Sequence, residues 1–214
     1  MKALANIDRI QITNEVMLLL LSLYESKGKS FYYDDLFNRD ISAFEKNTME
    51  TNLISVATYL ELNMTEARIK LFAKKKMVPR TKDEHCLANI KVALQQLQSN
   101  PEQFELLVNE INNLAKLLSK EYDHIQFNTY DKAEEGMLKT KKFSKREDLE
   151  HLLSLFEKSL KSKKHELTQL ISNFYVDFMN MNIYNIHNDL VGMIVLYAIL
   201  LKNFNVFKYV SFFK

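Results

Sequence analysis

His187, Asn188 and Asp189 stand together near the end of the chain, with Asp177 upstream, and proton or metal chemistry would be sought there first. A histidine titrating near neutrality beside a carboxylate has the chemistry of a general base or a metal ligand. No second His or Cys lies at ligand spacing, so polar packing of a loop explains the group better than a metal centre. Asn182, Asn185 and Asn188 recur at a spacing of three and, with Asn180, suit the capping or termination of helices. His85 and Cys86 are adjacent, and on a helix adjacent side chains point about 100° apart, so a thiolate–imidazole pair carries little weight.

Two lysine-rich stretches offer cations for phosphates: Lys74 to Lys76, and the set Lys139, Lys141, Lys142, Lys145 and Arg146. The net charge is only +2, with acids interleaved among the lysines, so solvated surface is the better reading and nucleic acid is not implied. The single cysteine excludes an internal disulfide, and no charged start followed by an apolar run and a small-residue cleavage site is present, which points to a cytoplasmic setting. The longest uncharged apolar stretch, 190–201, falls short of the roughly 20 residues that cross a bilayer, so no membrane span is expected.

The elements that must position these residues read as helices. Three glycines and two prolines in 214 residues leave few tight turns, and 47% apolar with 26% charged residues is a globular composition of at most two folding units. Thr13 opens a helix that Gly28 is expected to stop, and this helix is expected to be deeply packed. A second spans about 41–60, and Thr65 opens a third that carries Ile69, Leu71 and Phe72 to the core before Pro79 ends it. Leu87, Ile90, Val92, Ala93, Leu94 and Leu97 give a fourth, and 102–119 a fifth. Residues 122–143 alternate poorly and hold Gly136, as in a loop or short hairpin. Ser144 and Glu147 then form a capping-box pattern before the stripe Leu149, Leu152, Leu153, Leu155, Phe156 and Leu160. Helices over 167–181 and 190–202 follow, and the aromatic tail Phe204, Phe207, Tyr209, Phe212 and Phe213 reads as core packing.

Three blocks in order carry a resemblance: ITNEVMLLLLSLYESKGK near the start, TEARIKLFAKKKMVPRTKDEHCLANIKVAL over 65–94, and FYVDFMNMNIYNIHNDLVGMIVLYAILLKNFNVFKYVS over 174–211. Together they resemble the Fic family of protein adenylyltransferases, in the form with an N-terminal inhibitory helix. The resemblance implies a mostly α, Fic-like helical domain with a short β-hairpin flap around 122–143. It also implies an N-terminal helical region over 1–100 and a degenerate core over 101–214, shortened at its C-terminal end.

Against the family's HPFxxGNGRxxR, the third block aligns without gaps. Asn182 falls where the family's histidine is the general base, and an amide cannot take up a proton. Ile186 falls where an acid helps hold magnesium, a task for a hard oxygen. His187, Asn188 and Asp189 replace the GNG whose backbone closes round the diphosphate, and Leu190 and Met193 replace the phosphate-clamping arginines. In the inhibitory helix, Ser55, Leu60 and Glu61 fall at the serine, glutamate and glycine of the signature.

The resemblance therefore implies a Fic-like protein that has lost adenylyl transfer (AMPylation), a pseudoenzyme retained as a binding or regulatory module, with no cofactor despite the family's ATP and magnesium. The alternative is an active transferase of AMP or another phosphate-linked group with a rebuilt site, His187 serving as base. A protein partner and a homo-oligomer are both compatible with the sequence.

Overall fold

A computed structural model of the chain describes residues 3–75, 77–133, 140–209 and 211–213. Lys76 and 134–139, the latter including Gly136 and Lys139, lie outside the described residues. The helices are α1 (Asn14–Asn38), α2 (Ile41–Tyr59), α3 (Glu66–Lys74), α4 (Lys82–Ser99), α5 (Val108–Ser119), α6 (Lys145–Ser162), α7 (Leu167–Met181) and α8 (Asn188–Asn203), with short 3-10 turns at Leu4–Arg9, Pro101–Gln103 and Asn205–Lys208. Between α5 and α6 lies an antiparallel hairpin of β1 (Thr129–Ala133) and β2 (Thr140–Ser144). The fold is mostly α with one small sheet, and the hairpin falls in the stretch the sequence left without helical periodicity.

The chain divides into two compact units. One holds residues 1–10, 105–119 and 123–196; the other holds 11–104, 120–122 and 197–214.

In the first unit the core is built from α5, α6, α7 and the start of α8. Ile111, Leu149, Leu152, Phe156, Leu170, Phe174, Phe178, Leu190, Val191 and Ile194 are all buried, and Phe156 and Phe174 meet with ring centres 4.9 Å apart. Burying such side chains is worth about 1.5–3 kcal/mol each against full exposure, which is why a chain with so few turns collapses round them. Ser144 caps α6 as its capping pattern predicts, its Oγ accepting from Arg146 N–H at 3.2 Å. Asp177, buried on α7, accepts from the backbone N–H groups of Ala3 (2.6 Å) and Leu4 (2.9 Å) and so holds the N-terminal 3-10 turn.

In the second unit α2, α3 and α4 pack through Leu53, Val56, Ile69, Phe72, Leu87, Ile90 and Leu94. The RIK and PRxxDE segments meet here: Arg68 Nε and Glu84 Oε1 are 2.8 Å apart, and Arg80 N–H donates to Glu84 Oε2 at 2.8 Å. These bonds hold the Glu84 carboxyl below its ordinary range, the Arg68 hydrogen bond contributing most. Of the aromatic tail only Phe204 is buried as expected; Phe207, Tyr209, Phe212 and Phe213 are half-buried, with Tyr197 stacked on Phe212 at 5.5 Å.

Several expectations fail for physical reasons. Gly28 does not stop α1, because a stop needs a left-handed residue and Gly28 stays helical; an added Cβ would meet nothing within 4 Å. Nor is α1 deeply packed, since Val16, Met17, Leu18, Leu19 and Leu21 are exposed. The fifth helix begins at Val108 rather than Glu102, because Pro101 opens a 3-10 turn and Leu107 N–H bonds Glu105 C=O at 2.8 Å before the helix can start. Leu71, Val92 and Leu160 fall at the margins of their apolar stripes and are exposed.

The depressed Glu84 carboxyl carries a pH signature. A carboxyl whose pKa falls on folding adds stability above its unfolded value, about 4.5 here, and loses it as pH drops through the lower folded value. Urea unfolding of Glu84→Gln should therefore show a deficit against the parent at pH 7 that shrinks below about 4.5.

Candidate functional site

The motif segment 182–193 links α7 to α8 inside the first unit. α7 ends because Asn182 takes a left-handed conformation (φ 48°, ψ 61°), one that asparagine tolerates better than most residues. The turn beyond it is latched by the segment just before β1. Asn128 Nδ2 donates to the carbonyls of Asn182 (2.9 Å) and Tyr184 (2.8 Å), while Asn128 N–H donates to Ile183 C=O at 2.8 Å. Asn185 exchanges a pair of bonds with Gln126: its N–H donates to Gln126 C=O at 3.1 Å, and its Oδ1 accepts from Gln126 N–H at 2.9 Å. Asn188 Oδ1 accepts from Tyr184 N–H at 3.1 Å, closing the turn onto the start of α8. The asparagines at a spacing of three are thus a cap and two latches.

Ile183 and Tyr184 fill the space under the turn, and both are fully buried. The Tyr184 ring stacks on Phe127 at 5.1 Å, but its hydroxyl has no hydrogen-bond partner among the described residues. Burial pushes that hydroxyl well above the usual tyrosine range. The slot accepts an aromatic ring and gives nothing to its oxygen.

His187 also has a positive φ (53°), and its Nε2 lies 2.9 Å from Asp123 Oδ2, both side chains about a quarter exposed. The backbone at this position makes a turn that glycine would make without cost. Val191 N–H donates to His187 C=O at 3.0 Å, starting α8, with Asp189 in its first turn. A helix N-terminus attracts anions, and a carboxylate there satisfies that tendency from within the chain. Ile186 and Met193 are half-buried, and Leu190 is fully buried in the core, so that position offers neither a cation nor an exposed surface. Gly192 packs tightly on α7, where an added Cβ would lie 3.0 Å from Met179 Sδ and from Phe178.

Asp177 does not join His187 in a site, because both its oxygens are committed to the N-terminal backbone. Asp123, which does join it, lies 64 residues upstream, and nothing in its local sequence signals the pairing. His85 approaches Glu121 at 3.4 Å and Cys86 is buried, so the two neighbours diverge as their helical spacing requires. Among the described residues, no group of three or more His, Cys, Asp or Glu side chains could hold a metal ion, and no helix is long and apolar enough to cross a membrane. Two cations of the second lysine-rich set are engaged locally: Lys145 with Asp148 at 2.9 Å and over the Tyr130 ring, and Arg146 with Asn109 at 3.0 Å and Glu150 at 3.4 Å. The second unit holds Ser55 on α2, Leu60 at its C-terminal cap and Glu61 just beyond, exposed and left-handed at φ 52°.

No protein-family model matches the sequence, and no curated protein matches it. The fold is helical, with a turn joining α7 to α8 and, among the described residues, one antiparallel hairpin. Among solved structures, the crystal structure of a Fic family protein from Desulfovibrio desulfuricans G20 is similar, with a TM-score of 0.68, 12% identity, and coverage of 94% of this chain and 61% of that one. The chain has a Fic-like fold, and it spans about three-fifths of the length of that structure.

The Asn128 carboxamide serves two carbonyls at once, so removing it leaves both without that donor. Asn128→Ala should cost about 1–3 kcal/mol of stability in urea unfolding. Amide exchange should quicken across 183–188 well beyond any change in α5.

Proposed function

We propose that this Fic-like protein does not transfer adenylyl groups and acts instead as a binding or regulatory module for a protein partner. The observation that carries the reading is Asp189 in the first turn of α8, at the position matching the second glycine of the family's phosphate-binding GNG. A nucleotide phosphate held about 4 Å from that carboxylate would be repelled by roughly 4 kcal/mol at an effective dielectric of 20. The other replacements point the same way. Asn182 is spent as a helix cap whose amide takes no proton, Ile186 supplies no oxygen to a magnesium ion, and Leu190 is core. The residues present do not fit magnesium-ATP in the family's manner. The cytoplasmic setting inferred from a lone cysteine belongs to this same reading.

Isothermal titration of the chain with magnesium-ATP should give no heat attributable to micromolar binding. Saturable micromolar binding would overturn the reading.

A second reading rests on one geometric fact, the 2.9 Å approach of His187 Nε2 to Asp123 Oδ2. A histidine oriented by a carboxylate is the pairing a general base uses, and active sites are rebuilt on old scaffolds. On this reading the chain transfers AMP or another phosphate-linked group with His187 as base. Incubation with labelled ATP and lysate should then yield labelled protein, with the label abolished in His187→Ala. Labelling that persists in that variant removes His187 from the role.

A further inference from the structure

Among the described residues, α1 meets its own unit along one side. Leu20 and Leu23 are half-buried on that side, Tyr24 meets the edge of the Phe204 ring at 6.0 Å, and Lys27 Nζ lies 4.7 Å from the centre of the same ring. The opposite side carries Leu18 (65% exposed), Leu21 (60%), Glu25, Gly28, Lys29, Tyr32 (73%) and Leu36 (56%). These positions recur at spacings of three and four, the pattern of a seam that faces another helix.

We propose that this seam pairs with the same seam of a second copy, in antiparallel orientation about a two-fold axis near residue 27. The sequence is self-complementary in that arrangement and in no parallel one. A two-fold near 27 sets Leu18 against Leu36 of the other copy, Leu21 and Ser22 against Tyr32, and Glu25 against Lys29. Parallel pairing would set Glu25 against Glu25 and Lys29 against Lys29. Glu25 and Lys29 already pair within one chain, so the antiparallel contact extends that pair into a four-charge cluster at the centre of the seam.

Gly28 fits the same arrangement. It places the poorest helix former after proline inside a 25-residue helix, and among the described residues nothing beyond its chain neighbours and its own helix backbone comes within 4 Å of where its Cβ would be. Beside a crossing point, a residue with no side chain lets two helix backbones approach closely. The paired stretch from Leu18 to Leu36 is about 27 Å long at 1.5 Å per residue. It would bury on the order of 600 Å² per copy, roughly 1,200 Å² in all, at the lower edge of specific interfaces. The association is accordingly weak to moderate and depends on concentration.

Charge exchange isolates the contact. Sedimentation velocity across the micromolar range should show the unaltered chain dimerising, with Glu25→Lys and Lys29→Glu each shifted at least tenfold toward monomer. Each variant alone places like charges across the two-fold, whereas an equimolar mixture places opposite charges there and should recover the dimer. The in-chain pair is broken in both variants, so recovery in the mixture cannot come from within one chain. Both positions are exposed, and far-UV circular dichroism checks that helix content is kept. Should either variant aggregate, mild oxidation of Gly28→Cys reads the same contact, because the native Cys86 is buried. The proposal is overturned if the unaltered chain is monomeric throughout, if both variants dimerise like it, or if neither the mixture nor the Gly28→Cys chain forms the paired species. A monomer that bound neutral phospholipid vesicles through α1 would give the face to a membrane surface and overturn it equally.

Discussion

The passage from α7 to α8 must be made in six residues without a glycine, and every peptide group exposed by that turn has to find a partner. The arrangement of the site follows from this constraint. Asn182 absorbs the left-handed step, Asn188 folds back on Tyr184, and the segment 126–128 supplies donors and acceptors from outside. The backbone of the turn is held by these bonds, while the Tyr184 hydroxyl beneath it has no partner among the described residues.

Much of this was legible in the sequence. The apolar spacing located α4 and α6, because each buries a stripe of apolar side chains, Leu87, Ile90 and Leu94 on the one and Leu149, Leu152 and Phe156 on the other. Capping chemistry located the starts of α3 at Thr65 and of α6 at Ser144, where a hydroxyl accepts from the first turn. Phe204 and the apolar run of α8 were legible as core for the same reason, since large apolar side chains seldom stay in water.

The failures share a cause. Local rules describe what a residue permits, whereas packing decides what it does. Gly28 permits a stop, yet nothing nearby offers Gly28 a left-handed turn or a Schellman bond, so α1 runs on. A run of leucines permits burial, yet Leu18, Leu19 and Leu21 of α1 stay exposed. At the site, the asparagine spacing was visible, whereas the partners Asp123, Gln126 and Asn128 are more than fifty residues from the groups they bind. Pairings of that separation leave no periodic trace.

The left-handed backbone at His187 narrows what can follow at that position. For most side chains this conformation costs about 1–2 kcal/mol, and histidine there is braced by Asp123. A change to valine or isoleucine would meet the full cost without that brace, and a change to glycine would remove both cost and brace together. Position 187 is therefore limited by its backbone shape as well as by the bond its ring makes: the residues open to it are glycine, asparagine, aspartate and a braced histidine, a set far smaller than its partial exposure would suggest.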